Sequence, residues 1–308
     1  MTMQYDPNFI REEVRDGWTV TETVKKVWWV QMDLLKVFDG ICKKHGLRWY
    51  PDGGTLLGAI RHKGYIPWDD DVDLCMPRED YNKFLEVAKE ELSEPYFLQT
   101  PITDPYCYMY WTSLRNSDTT GNRESCMPTR QHNGIAIDII PMEGCENSYF
   151  CYKLRRLPLR IASVLCNTYV NEFNMGKTAV LLRKVLRRLH LNVPKIYRWL
   201  EKQNSKHPMA KYEKCTQTLI ADPMVYGRNG LKRVIMNKAD YAETVDMPFE
   251  HITLPVPVGY DHILKNYYGD YMAFPPMESR AGKHDMVFAP DVPYRQYCAE
   301  HYGVTYED

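Results

Sequence analysis

The sequence predicts an α/β protein of the α+β kind, in which a mixed β-sheet is flanked by helices and interrupted by a basic helical insertion. Three observations carry that expectation. Apolar residues recur at helical spacing over 19–45 and 77–92, apolar β-prone runs follow at 72–76 and 134–142, and a block of Lys and Arg sits mid-chain. With 44% apolar and 26% charged residues over 308 positions, the chain can bury a substantial core and is not expected to be extensively disordered.

Residues 1–18 read as an irregular lead-in. From Thr19 to His45, Val24, Val27, Trp28, Leu34, Leu35, Phe38, Ile41 and Cys42 recur on one helical face, and Gly46 supplies the stop. Leu47 to Tyr50 starts the sheet. Gly53 and Gly54 follow, opening a short helix from Thr55 to His62 with Gly64 beyond its end. On a strand, Asp71 and Asp73 project from one face while Val72, Leu74 and Met76 enter the core. Pro77 to Leu92 is a further amphipathic helix. Tyr96–Gln99 and Tyr106–Leu114 are β-prone around the turn-forming TPITDP. The polar loop from Asn116 to Asn133, with Arg115, Arg123 and Arg130 in or beside it, either covers a nucleotide or is simply solvated. Gly134 to Met142 is a nearly all-apolar strand interrupted by Asp138, a carboxylate costly to bury unless paired or metal-bound.

Past Pro141 the character changes. Between Cys151 and Lys206 thirteen Lys and Arg face only Glu172 and Glu201, although the whole chain has a net charge of -1. Residues 147–206 read as two or three basic helices, with Leu154, Leu157, Ile161, Val164 and Leu165 on one face and Val180, Leu181, Val185, Leu186 and Leu189 on the next. They either rest on an anionic membrane surface or pack on the sheet with their cations in water. Nucleic acid is not an expected partner, because aromatic interleaving for base stacking is missing. Short strands around 233–236 and 252–256 and a helix from Tyr260 to Tyr268 lead into YYGDYMAFPP. The expected division is a catalytic core at 1–146, the basic segment at 147–206, and a C-terminal part at 207–308 that completes the core and the substrate site.

The block PDGGTLLGAIRHKGYIPWDDDVDLCM, residues 51–76, concentrates the chemistry. A Gly-Gly-Thr turn, a linker, then Asp-apolar-Asp on a strand is the pattern of the nucleotidyltransferase fold, for which short motifs gain specificity only in combination. Asp71, Asp73 and Asp138 on neighbouring strands call for a hard cation, Mg²⁺ with Mn²⁺ as the alternative. Asp138 could also help to deprotonate an acceptor hydroxyl. Gly53, Gly54 and Thr55 are candidate phosphate contacts. Of Arg61, His62 and Lys63, Arg61 best suits a phosphate fork. Asp69 and Asp70 are expected to be too exposed or misdirected to be primary ligands, unless the strand starts early and Asp69 shares its face. Spacing alone stops at metal-dependent phosphoryl or nucleotidyl transfer.

The fuller string GTLLGAIRHKGYIPWDDDVDL with PREDY after it resembles the LicD family of phosphocholine transferases, related to fukutin and fukutin-related protein. The resemblance covers most of the first 145 residues and part of the last fifty. It places an aspartate at Asp138 before a Pro, and extends to the Tyr-Gly-Asp-Tyr-Met stretch and a downstream His, making Asp270, Arg280 and His284 candidates for substrate contact. It implies transfer of a phosphorylated alcohol, typically phosphocholine, from CDP-choline or another CDP-alcohol to a hydroxyl of a cell-envelope glycan that can be lipid-linked, releasing CMP. The alternatives are NMP transfer from an NTP to a small acceptor, and a non-catalytic membrane- or glycan-binding protein. Nine scattered cysteines without metal spacing and no apparent secretory segment lead to an expected place in the cytoplasm, at the inner face of the cytoplasmic membrane where lipid is involved.

Overall fold

In the computed structural model the described residues are 4–107, 109, 111–166, 181, 185, 188, 192–217, 233–280 and 285–306. The lead-in contains structure that was not expected. β1 (Glu13–Arg15) and β2 (Trp18–Val20) form a hairpin whose turn residues Asp16 and Gly17 take φ of 52° and 76°. Positive φ at both central positions is what the tight two-residue hairpin turn requires, and Asp-Gly favours it. Strands of three residues are too short to show a period.

α1 (Glu22–His45) is capped by Thr21, whose side chain accepts the Val24 N–H, and closed by Gly46 at φ 63°. Its fully buried Trp28, Leu34 and Phe38 enter the main core. There follow β3 (Tyr50–Pro51), α2 (Gly53–Arg61), β4 (Asp73–Pro77), α3 (Arg78–Glu91), β5 (Tyr96–Gln99), β6 (Thr112–Asn116), β7 (Thr120–Arg123) and β8 (Ala136–Cys145). Past β8 come α4 (Tyr149–Cys166), α5 (Val193–Asn204), β9 (Lys214–Thr216) and β10 (Ile235–Asn237). The chain then forms β11 (Thr244–Phe249), β12 (Ile252–Pro257), α6 (Tyr260–Tyr268), β13 (Met286–Ala289) and α7 (Tyr294–Tyr302).

Seven of these strands make one mixed sheet, with β8 at its centre. β4 runs parallel to β8 from Asp73 opposite Asp138 to Pro77 opposite Met142. Along its other edge β8 pairs antiparallel with β6 up to Ile139 and with β9 from Glu143. Asp138 donates its N–H to Val72, on the β4 side, so by alternation Pro141 faces the opposite edge. There it falls between β6 and β9, where its missing N–H leaves no ladder bond unmade. The basic insertion is anchored by buried charge. Arg78, at the start of α3, donates to Glu143 of β8 and at 2.7 Å to Glu201 of α5. No helix among the described residues is long and apolar enough to cross a membrane. Cys42, Cys75, Cys107, Cys126, Cys145, Cys151, Cys215 and Cys298 are free thiols, all but Cys151 buried.

Candidate active site

The cleft floor is made where β4 leaves its preceding loop. Asp73 begins β4, and Val72, Leu74 and Met76 are buried beneath it. Asp71 lies before the strand, because the loop ahead of β4 is curled and tied to α1. Trp28 Nε1 donates to the Asp69 carbonyl at 3.0 Å, Gln31 Nε2 donates to the Asp70 carbonyl at 2.8 Å, and Trp28 stacks on Tyr65 with centroids 4.5 Å apart. A strand would alternate successive side chains, whereas the curl gathers them. Asp69, Asp70 and Asp71 each offer a carboxylate oxygen within 4.8 Å of the others. The expectation that Asp69 and Asp70 are exposed or misdirected is therefore corrected: both are partly buried and line the cleft.

Asp138 stands beside Asp73 in register across the β4–β8 pair. Burial and, after it, Asp71, Asp138, Asp52 and Asp69 hold the Asp73 carboxyl well above the usual carboxylate range. Burial, Asp71 and Asp70 do the same to Asp69. Burial also raises Asp138, opposed by the Ser113 hydroxyl, which donates to its Oδ1 at 2.5 Å, and by Arg115, the indole of Trp111 and Arg123. Asp52, just before α2, is raised by burial and steadied by Gln217 at 2.5 Å, the Gly53 N–H and the Tyr267 hydroxyl at 3.2 Å. The donor set fits a small hard cation. All candidate ligand atoms are carboxylate oxygens, the donors a hard divalent cation takes.

The glycines make this packing possible. A Cβ on Gly54 would come within 2.3 Å of Asp69 Oδ2, and one on Gly53, which sits at φ 48°, would point between Asp73 Oδ2 and the Tyr268 hydroxyl. Gly54→Ala should leave the melting temperature unchanged or slightly raised, since alanine suits a helix better. Its displaced Asp69 should weaken Mn²⁺ binding by about tenfold to a hundredfold in calorimetry, as disturbed metal surroundings do elsewhere. Unchanged Mn²⁺ affinity would remove Asp69 from the ligand set.

The cleft encloses about 620 Å³, with Gly54, Leu57 and Arg61 on the α2 side and Tyr268, Asp270, Tyr271, Phe274 and Ser279 on the other. Asp270 thus reaches the site, on a loop about two hundred residues beyond the aspartates. Arg61 lines it too, but Nη1 is spent on the carbonyls of Tyr271 (2.8 Å) and Ala273 (3.1 Å) and its guanidinium lies over Phe274. His62 accepts from Arg61 Nε and donates from Nδ1 to Asp16 at 3.0 Å, a neutral tautomer consistent with a pKa lowered by burial and Arg61.

Four expected contacts are corrected. Thr55 is buried and is not among the residues that line the cleft; its hydroxyl accepts the Asp73 N–H at 3.0 Å and ties helix to strand. Lys63 is exposed in a turn at φ 56° and its carbonyl accepts from Glu250, away from the cleft. Arg280 donates to the carbonyls of Pro275 and Asp16 and stacks 4.6 Å over Trp68, clamping three segments together. Arg115, a candidate for covering a nucleotide, is buried on Gln99 and the Gly134 carbonyl. His284 lies outside the described residues. The sequence reading missed Ser113, Trp68, Tyr268 and Phe274; only the aromatic density of YYGDYMAF signalled any of them.

Residues 46–153 match the family model described as LicD/FKTN/FKRP, nucleotidyltransferase domain. The chain is 28% identical over 274 residues to the lipopolysaccharide cholinephosphotransferase LicD of Haemophilus influenzae, covering 85% of this chain and 96% of that protein. It is also 51% identical over 41 residues to the ribitol 5-phosphate transferase FKRP of Homo sapiens, covering 13% of this chain and 8% of that one.

Proposed function

We propose that this chain, whose residues 46–153 are a domain of the LicD/FKTN/FKRP nucleotidyltransferase family, is a glycan-modifying phosphotransferase that moves a phosphorylated alcohol from a CDP-activated donor to a glycan hydroxyl. Phosphocholine is the foremost candidate, because the relative matched along nearly its whole length is a cholinephosphotransferase; the shorter match, a ribitol 5-phosphate transferase, supports the wider class. The observation that carries the reading is the crowding of Asp69, Asp71, Asp52 and Asp138 about Asp73 on the floor of a cleft. Such an array is electrostatically unfavourable until a cation joins it.

A bound Mg²⁺ or Mn²⁺ would neutralise the diphosphate and stabilise the leaving oxygen. Asp71 and Asp73 are its proposed first ligands, with Asp69 and Asp70 from the same curl and Asp138 from β8. Gly54 lets the donor's phosphates approach α2, and Asp270 with the Tyr268–Ser279 loop closes over the alcohol and nucleoside. Ser113 engages Oδ1 of Asp138, which orients the other oxygen to receive the proton of the attacking glycan hydroxyl. The new P–O bond forms at the phosphorus farther from the nucleoside, the bridging P–O bond breaks, and CMP departs.

The test is CMP release from a panel of CDP-choline, CDP-ribitol and CDP-glycerol with Mg²⁺ and candidate envelope glycans. Release from one donor, dependent on acceptor, is expected. Pyrophosphate release from an NTP, with no CMP from any CDP-alcohol, would replace this reading by nucleotidyl transfer.

A further inference from the structure

Helix α4 carries two apolar faces where a helix packed on a sheet needs one. Its inner side buries Tyr152, Leu159 and Ala162. Its outer side presents Phe150, Leu154, Leu157 and Ile161, which are 69%, 57%, 59% and 57% exposed. Steps of four, three and four place these four in one narrow stripe along the helix. At helical spacing exposed Lys153 borders that stripe, and on α5, which packs against α4, the exposed residues are Lys195, Arg198, Trp199 and Lys202.

We propose that the stripe of α4 and the cationic outer face of α5 form a peripheral docking surface for an anionic lipid bilayer. Charge selects this occupant. The exposed charged side chains of the two helices are Lys153, Lys195, Arg198 and Lys202, all cationic, and Glu201 of α5 is already engaged by buried Arg78. A second copy would set one strongly cationic face against another, whereas anionic headgroups neutralise the flanking cations as the four apolar side chains enter the acyl boundary. An exposed Trp beside them suits the headgroup level. α4 lies on the bilayer rather than crossing it.

The placement also connects to the cleft. Leu159 and Ala162, on the inner side of the same turns, belong to the small core that packs on Trp111, the residue before β6, whose Ser113 donates to Asp138. A bilayer on the stripe therefore lies about one helix diameter beyond Trp111. That suits an acceptor carried by a lipid, although the docking itself does not depend on the transferase reading.

The test is flotation of the full chain with vesicles of phosphatidylcholine alone or containing phosphatidylglycerol, at low and high salt and without donor. Binding is expected on the phosphatidylglycerol vesicles, weakened by salt and at least about tenfold weaker on neutral ones. Leu154→Ser/Leu157→Ser should reduce it about tenfold or more, and Arg198→Glu/Lys202→Glu should abolish the preference for anionic lipid; both pairs are exposed, and circular dichroism checks their fold. Equal failure to bind either vesicle overturns the proposal. So does binding that ignores both variants, or a stable dimer by light scattering that the serine pair dissociates.

Discussion

Asp73→Asn should yield a chain that is folded, more stable than the parent in the absence of divalent cation, and without transferase activity. The two effects have one cause. In the parent, Asp73 is desolvated and faces Asp71, Asp138, Asp52 and Asp69, so its charge is held against local repulsion. Removing that charge at constant shape relieves the repulsion and should raise stability by roughly 1–2 kcal/mol in EDTA. The same repulsion is what a cation would relieve, so the variant loses both the ligand and the driving force for binding. If metal-assisted charge neutralisation supplies several kcal/mol at the transition state, CMP release should fall by on the order of a thousandfold or more. Calorimetric Mn²⁺ titration and thermal melts with and without Mg²⁺ separate the two effects. A variant that binds Mn²⁺ like the parent and keeps its turnover contradicts the assignment of Asp73. A variant destabilised in EDTA shows that the carboxylate is structural.

Much of this architecture could be read from residue order. The stripe of α1, the bounds of α3, and α6 from Tyr260 to Tyr268 follow from local period and stop signals. Val72, Leu74 and Met76 are buried below Asp73, as alternation requires, and Asp138 stands on the adjacent strand. What escaped reading depends on partners distant in sequence. Asp69 and Asp70 turn into the cleft because Trp28 and Gln31 of α1 hold their carbonyls, and no period in the aspartate run reports those bonds. Thr55 has the chemistry of a phosphate contact, yet it is buried off the cleft lining, with its hydroxyl accepting the Asp73 N–H. Arg280 and Arg115 look like free cations in sequence and are clamps in space. The outer cleft wall comes from residues 268–279, joined to the aspartates only by folding. For the basic segment, composition left membrane contact and sheet packing as rivals. α4 shows both faces at once, one buried on Tyr152 and Leu159 and one exposed through Phe150 to Ile161.

Arg78→Ala should be the most destabilising single change in the chain's charged interior, costing about 3–5 kcal/mol at pH 8 by urea denaturation. Arg78 is fully buried, Glu143 is 1% exposed, and Glu201 reaches the same guanidinium from α5. Truncation leaves two carboxylates facing each other without a cation, which costs more than the ion pair itself contributes. Arg78→Met with Glu143→Gln and Glu201→Gln should recover most of the loss, because the unpaired charges are gone. The pH dependence follows with a definite sign. In the parent, burial and Glu143 hold Glu201 above the ordinary carboxylate range while Arg78 opposes them. Without Arg78 that elevation grows, so the folded state binds more protons than the unfolded one, and stability falls as pH rises from the unfolded carboxylate value through the folded one. The deficit of Arg78→Ala should therefore be smaller at pH 5 than at pH 8. A pH-independent deficit, or one below about 1 kcal/mol, would show that water reaches these carboxylates and that α5 is held by its apolar contacts alone. Since α5 shares a small core with α4 and Trp111, the expected loosening should also weaken vesicle binding, linking a buried arginine on α3 to the lipid-facing stripe.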